Sequence, residues 1–339
     1  MSEHLLDVRG LTVRFPTTDG VVRAVSDVSF TLGRGETLGI VGESGSGKSV
    51  SNLAIMGLLN RARATISGEI VFQGRDLLPL GRDELRKIRG KEIAMVFQDP
   101  FACLHPLYRV GDQIAEAGTA HGVPKDAALA RAVELLDRVG IPNAKSRARD
   151  YPHQFSGGMR QRAMIAMALV HNPAILIADE PTTALDVTVQ AQILELIEDV
   201  KREFNIGVIL VTHDLGVVAE TADSVLVMYA GRVVEYGAAA QVFARPQHPY
   251  AWGLLDSMPT VERRLATLVP IDGSPPSLLA PPSGCAFHPR CPHRFAPCDG
   301  EVPPLATPAG GHADACYLPF DRKLALGAER AARRLGLAS

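Results

Sequence analysis

Gly42-Glu43-Ser44-Gly45-Ser46-Gly47-Lys48-Ser49 decides the fold. It is a phosphate-binding loop of the pattern G-x-x-x-x-G-K-S/T. An apolar stretch, Leu38-Gly39-Ile40-Val41, runs into it and reads as a buried strand, and a helical stretch leaves it from Ser49. Strand, loop and helix are the context the motif requires. Glycines let the backbone approach the phosphates and turn its N–H groups toward them. The helix N-terminus adds a favourable dipole for negative charge. Lys48 can reach the β- and γ-phosphates, and Ser49 can ligate Mg²⁺. A chance Gly/Ser-rich turn would not come with this context, so the stretch reads as a nucleotide site.

The whole chain, 339 residues, is too long for one ordinary domain. Its net charge of −2 gives no bulk electrostatic reason for nucleic acid or an acidic membrane surface. No apolar run approaches the length of a membrane span. The start, Met1 to Asp7, lacks the basic and apolar segments of a signal peptide, so the expected compartment is the cytoplasm. Structural disulfides are rare there. That bears on the cysteines, four of which fall in the last 55 residues.

Upstream of the loop, Leu6, Val8, Leu11, Val13 and Phe15 predict a strand with a phase break at Gly10, and Val28, Phe30 and Leu32 predict another. Paired as hairpins, these early strands predict a mixed sheet. Tyr108 to Ala148 reads as helical, with Ala132, Val133, Leu135, Leu136 and Val139 on one face. Ala174 to Ala178 is a continuous apolar run of the kind a central parallel strand shows. A helix over Val189–Glu203, a strand over Val208–Val211, a helix over Leu215–Thr221 and a hairpin turning over Ala230-Gly231 follow. The predicted class is α/β, with a P-loop core. Near residue 240 the composition shifts to proline. The expected organisation is a nucleotide-binding domain over 1–240, with a helical subdomain at about 99–170. A small Cys/Pro-rich region over 241–320 and a helical tail over 321–339 complete it.

Asp179-Glu180 ends the apolar strand. There Asp179 would hold Mg²⁺ and Glu180 would orient and deprotonate an attacking water. Next to these, Phe155-Ser156-Gly157-Gly158-Met159-Arg160-Gln161-Arg162 resembles the signature motif of the ABC (ATP-binding cassette) ATPases. The family order is phosphate loop, Q-loop, signature, Asp-Glu strand, D-loop and switch histidine. This chain has Lys48, Gln98, Ser156, Glu180, Asp186 and His213 in that order. The commonest signature is Leu-Ser-Gly-Gly-Gln; here Phe155 and Met159 flank the Ser-Gly-Gly. The resemblance implies ATP and Mg²⁺ as cofactors and a RecA-like core with a mixed sheet. It further implies that Ser156, Gly157 and Gly158 meet the γ-phosphate held by a second cassette. Gln98 would contact Mg²⁺ and the attacking water, His213 the γ-phosphate, and Asp186 the dimer partner. Phe15 is either the aromatic that stacks on adenine or a core residue at a strand end.

Cys285, Cys291, Cys298 and Cys316 have the spacing C-x5-C-x6-C-x17-C, wider than ordinary zinc pairs. Such thiolates suit soft metals. Around them, Pro246-Gln247-His248-Pro249-Tyr250, Leu254 to Pro259 and Gly273-Ser274-Pro275-Pro276 resemble the C-terminal region of the oligopeptide/dipeptide importer ATPases. Some members of that family hold a [4Fe–4S] cluster on four cysteines. The expectation here is such a cluster, with zinc as the alternative. Residues 98–113 resemble the family segment that receives the permease's coupling helices, with Cys103 and His105 where Ser and Asn are usual.

The resemblance implies an ATP-hydrolysing subunit, peripheral on the cytoplasmic face of the inner membrane. Its partners would be a second, different cassette, two permease subunits and, indirectly, an extracytoplasmic binding protein, with no nucleic acid. Peptides are the expected substrate, with nickel or glutathione as alternatives. A soluble DNA-repair or ribosome-associated ABC protein ranks lower. Repair enzymes insert long modules before the signature, where this chain has 107 residues between Lys48 and Ser156. Ribosome-associated proteins carry two cassettes.

Overall fold

The computed structural model describes residues 4–183, 185–257, 270–307 and 312–334. Met258 and Pro259 of the family segment, Ala184 beside the D-loop, and the ends 1–3 and 335–339 lie outside them. The strands in chain order are β1 (Leu6–Thr17), β2 (Gly20–Leu32), β3 (Thr37–Val41), β4 (Thr65–Phe72), β5 (Arg75–Asp76), β6 (Ile93–Val96), β7 (Ile175–Asp179), β8 (Gly207–Val211), β9 (Ser224–Tyr229), β10 (Arg232–Ala238) and β11 (Ala313–Asp314). The described chain divides into two compact units. One is made of residues 4–5, 32–37 and 79–211, the other of 6–31, 38–78 and 212–334.

The first unit holds three parallel strands in the order β8-β7-β6. Ile175-Leu176-Ile177-Ala178-Asp179 and Gly207-Val208-Ile209-Leu210-Val211 are buried at every position. A strand covered on both faces needs an unbroken apolar run, which is why no alternation shows in the sequence. The unit's helices include Val110–Thr119, Lys125–Arg138, Gly157–Ala168 and Val187–Phe204; the first two pack on each other and on the third, which meets β6. The last of the four starts two residues before the predicted Val189. Ser156 caps the third helix and Asp186 the fourth, and a cap fixes a helix start independently of where its apolar face begins.

The second unit holds two sheets. The early strands do not join the sheet of the phosphate-loop strand. They form a separate four-stranded sheet in the order β2-β1-β4-β5, with β1 and β4 antiparallel. Alternation tells which face of a strand is buried but not which strand it meets; β1 and β2 are neighbours as expected, and the mixed sheet of the fold is the one that holds the phosphate-loop strand, with parallel and antiparallel pairs. At Gly10, φ is +57° and the β1–β4 register shifts between Arg9 and Thr12. This bulge lets Leu6, Val8, Leu11 and Val13 all point into the core. The other sheet runs β11-β10-β9-β3 in this unit, with β3 parallel to β9 and β10 antiparallel to both neighbours. Its hairpin turns on Ala230 (φ +47°) and Gly231 (φ +79°), the two left-handed residues a tight turn of this hand requires.

The proline-rich stretch is built onto β10 through a buried carboxylate. Glu235, fully buried, accepts the backbone N–H groups of Gln247 (2.8 Å) and His248 (2.9 Å) and meets His312 Nε2 at 2.5 Å. His248 caps the helix Pro249–Asp256: its Nδ1 accepts the N–H of Tyr250 at 3.0 Å. The final helix, Phe320–Arg334, is tied down by a buried pair, Lys323 Nζ to Asp314 Oδ1 at 2.5 Å. Among the described residues no helix is long and apolar enough to cross a membrane.

Burial pushes the His248 imidazole down to about 3, so the ring that caps the helix is neutral. An unfolded histidine protonates near pH 6.5. His248 therefore contributes full stability above about pH 6.5 and loses it as the pH falls toward 3. His248→Asn keeps a capping side chain but cannot protonate. Urea unfolding of the full chain between pH 7.5 and 5 is expected to show a shallower acid loss for His248→Asn than for wild type; equal slopes would refute the assignment.

Candidate functional site

The phosphate loop lies wholly in the second unit. β3 delivers it from buried Leu38, Ile40 and Val41. Gly42 has φ +150°, and a Cβ there would fall 2.2 Å from the carbonyl oxygen of Met228. Gly47 has φ +102° and a Cβ there would fall 2.5 Å from the carbonyl oxygen of Ala24. Gly45, at φ +75°, faces open space. Two glycines thus seat the loop against the protein, and the third leaves its crest clear for an anion. Lys48 is only 6% exposed; its Nζ donates to the carbonyls of Gly42 (2.7 Å) and Glu43 (3.0 Å). Ser49 is exposed in the first turn of the helix Lys48–Ile55. This cradle fits a polyphosphate with its Mg²⁺: backbone amides and an ammonium for the phosphates, and a hydroxyl for the metal.

His213 is exposed in the same unit between two residues that pin its loop. Thr212 Oγ1 accepts the N–H of Asp214 at 3.0 Å, and Asp214 Oδ1 accepts those of Gly216 (2.9 Å) and Val217 (3.3 Å). Neither neighbour was singled out in the sequence, although Asp before a short apolar helix is a capping signal. Phe15 is half-buried near the end of β1.

In the first unit, β7 ends in buried Asp179, and Glu180 follows with φ +49°, a strained backbone for a non-glycine residue. Its N–H is held by the carbonyl of Val211 at 2.8 Å. Glu180 Oε2 accepts the Gln98 amide (2.8 Å) and the Thr183 hydroxyl (2.9 Å). Gln98 and Glu180, 82 residues apart, are thus brought together, and Thr183 joins them without any signal in the sequence. Two donors on one oxygen aim a carboxylate without neutralising it, which suits a base that must keep its charge.

Ser156 caps the signature helix, its Oγ accepting the Met159 N–H at 3.3 Å. Ser156 and Gly157 are exposed, whereas Phe155 is 2% exposed. The unusual Phe is therefore an apolar anchor behind the polar tip, and the departure from Leu leaves the tip unchanged. A Cβ at Gly158 would fall 2.6 Å from Cγ1 of Val189, so glycine there sets the approach of the signature helix to the helix Val187–Phe204. Asp186 caps that second helix by accepting the Val189 N–H at 2.9 Å. In the segment after Gln98, buried Gln113 accepts the His105 N–H (2.8 Å) and donates to the carbonyls of His105 (3.0 Å) and Tyr108 (2.9 Å). That grip presents Leu107 and Tyr108, 76% and 60% exposed, to the outside. Cys103 is half-buried there, its thiol raised by burial and by Asp99.

Cys285, Cys291, Cys298 and Cys316 line one small cavity with His288 and His293. All four are free thiols. Burial pushes Cys291 up to about 11 and Cys316 up to about 12, and raises Cys285. The donor set is that of a thiolate metal site. However, among the described residues no three His, Cys, Asp or Glu side chains are arranged to hold an ion.

Residues 25–183 match the family of ABC transporters, and residues 234–298 match the oligopeptide/dipeptide transporter C-terminal region. The chain is 53% identical to the oligopeptide transport ATP-binding protein OppD of Salmonella typhimurium over 94% of this chain and 95% of that protein. It is 52% identical to the dipeptide transport ATP-binding protein DppD of Bacillus subtilis over 94% and 96%. Among solved structures, the dimeric bacterial ABC transporter cassette MJ0796 is similar with a TM-score of 0.62 at 30% identity, covering 69% of this chain and 98% of that one. A post-hydrolysis dimer of the same cassette bound to ADP and Pi is similar at 29% identity, with the same TM-score and coverage. With the phosphate loop, signature helix and Asp-Glu strand all formed as above, the chain belongs to the ABC-transporter ATPases, in their oligopeptide/dipeptide family of ATP-binding subunits.

Proposed function

We propose that the chain is the ATP-hydrolysing subunit of an importer for dipeptides and oligopeptides. The observation that carries this is the match over nearly the whole chain to peptide-transport subunits, including the C-terminal region. Lys48 and the loop amides bind the phosphates, and Ser49, Gln98 and Asp179 hold Mg²⁺. Glu180 takes the proton of the attacking water, His213 steadies the γ-phosphate, and Phe15 stacks on adenine. Ser156, Gly157 and Gly158 serve the ATP of a second, different cassette, with Asp186 at the dimer contact. The exposed Leu107 and Tyr108 support a permease contact at that edge, which keeps the chain peripheral on the cytoplasmic face of the membrane. Nickel or glutathione would be carried by the same mechanism under a different binding protein and permease.

In the assembled complex, Glu180→Gln is expected to bind ATP and lower turnover by two orders of magnitude or more, as loss of a general base does. Turnover near wild type would remove Glu180 from that role. In a strain lacking this chain, uptake of labelled di- and oligopeptides is expected to fall and to return with wild type but not with Lys48→Ala. Intact peptide uptake with lost nickel or glutathione uptake would replace the substrate.

The reading extends to a [4Fe–4S] cluster on Cys285, Cys291, Cys298 and Cys316, in a structural or redox-sensing capacity; what supports it is that the four thiols line one cavity, and their side chains would have to close in to hold it. Anaerobic purification is expected to give about four irons and four sulfides per chain. Zinc without iron would overturn it.

A further inference from the structure

Glu43 occupies a variable position of the phosphate-loop pattern, yet every polar group it has is engaged. Its carboxylate receives a forked bond from Arg290, Nη1 to Oε2 at 2.7 Å and Nη2 to Oε1 at 3.1 Å. Its N–H donates to the Tyr250 hydroxyl at 2.8 Å. Its carbonyl accepts Lys48 Nζ at 3.0 Å and the Ser46 N–H at 3.2 Å. Both outside partners come from the C-terminal region, and both are fixed before they reach Glu43. Arg290 also donates to the carbonyls of Asp272 (2.8 Å) and Ile271 (3.2 Å) and to the Tyr229 hydroxyl (3.2 Å). Its side chain is 6% exposed against 26% for Glu43. Tyr250 is fully buried, its ring 4.5 Å from that of Tyr229 and 5.4 Å from that of Phe287.

Two consequences follow from general chemistry. A forked guanidinium–carboxylate pair fixes orientation as well as distance, so Glu43 cannot turn while Arg290 holds it. A carboxylate inside an anion-binding loop would also repel phosphates unless a cation covers it. We propose that Arg290 and Tyr250 are positioning residues of the nucleotide site. Arg290 neutralises and orients Glu43, Tyr250 anchors its backbone, and the loop-rich C-terminal region is thereby a working part of the phosphate loop rather than an appendage to it. The inference deepens the ATPase assignment and is independent of which substrate is carried.

The test is Mg-ATP binding to the full chain by calorimetry, with ATP KM and kcat measured in the assembled transporter. Arg290→Ala is expected to weaken Mg-ATP binding about tenfold or more, the scale of one lost charge-assisted contact. The loss should appear in KM, with kcat at saturating ATP within about twofold of wild type, and Arg290→Lys should lose less. Adding Glu43→Gln to Arg290→Ala should restore binding to within about threefold, because the uncovered carboxylate is gone. Tyr250→Phe should weaken binding about threefold. Wild-type affinity in a folded Arg290→Ala chain would overturn the proposal. So would a double variant no better than the single one, the mark of simple loss of docking. If Arg290→Ala does not fold, the comparison of Arg290→Lys with and without Glu43→Gln makes the same decision.

Discussion

The constraint on which the structure turns is that a phosphate loop must keep its amides pointed outward. Amides aimed at an anion are amides withheld from the protein, so the loop has to be held by everything else it owns. Lys48 draws the carbonyls of Gly42 and Glu43 inward, and Gly42 and Gly47 lie where no other residue fits against Met228 and Ala24. The tyrosine of the His-Pro-Tyr segment and the arginine before Cys291 hold the remaining free corner. The proline-rich region is itself seated by a buried carboxylate, Glu235, on β10. One chain of hydrogen bonds therefore runs inside the second unit, from β10 through His248 and Tyr250 to the first residues of the loop.

The first unit solves a different problem. The base proposed for the attacking water needs a carboxylate that is exposed on one side and rigid. Glu180 is placed just past the end of a buried strand, in a left-handed conformation that about 1–3 kcal/mol of strain would normally discourage. The bond from its N–H to Val211 and the two donors on Oε2 over-determine that conformation. Gln98, which donates to that carboxylate, stands at the start of the 98–113 segment that Gln113 grips and that shows Leu107 and Tyr108.

What was legible in the sequence was whatever lies in consecutive residues or in a fixed order. The phosphate loop, the signature motif and the buried Ile175–Asp179 strand could be read because each lies in consecutive residues. The tight turn at Ala230-Gly231 and the phase break at Gly10 could be read for the same reason. Strand partnership could not: β1 and β2 carry a clear alternation but no mark that they share a sheet with β4. Thr183 and Gln113 were silent because hydroxyls and amides are common and only their aim matters. Glu43 was read as one residue of the loop, but its partner was silent for a stronger reason. The motif treats the position of Glu43 as free, and its importance lies 247 residues away in Arg290. The cysteines were visible as a group, and they do converge on one cavity, but spacing alone does not set the geometry around an ion.

The most direct test of the account is hydrogen exchange over residues 38–50 of the full chain, with and without Mg-ATP. If the loop amides are the phosphate ligands, Mg-ATP slows their exchange in wild type and leaves Lys48→Ala unchanged. Equal exchange in wild type with and without Mg-ATP, under conditions where ATP is bound, would place the nucleotide elsewhere and contradict the account.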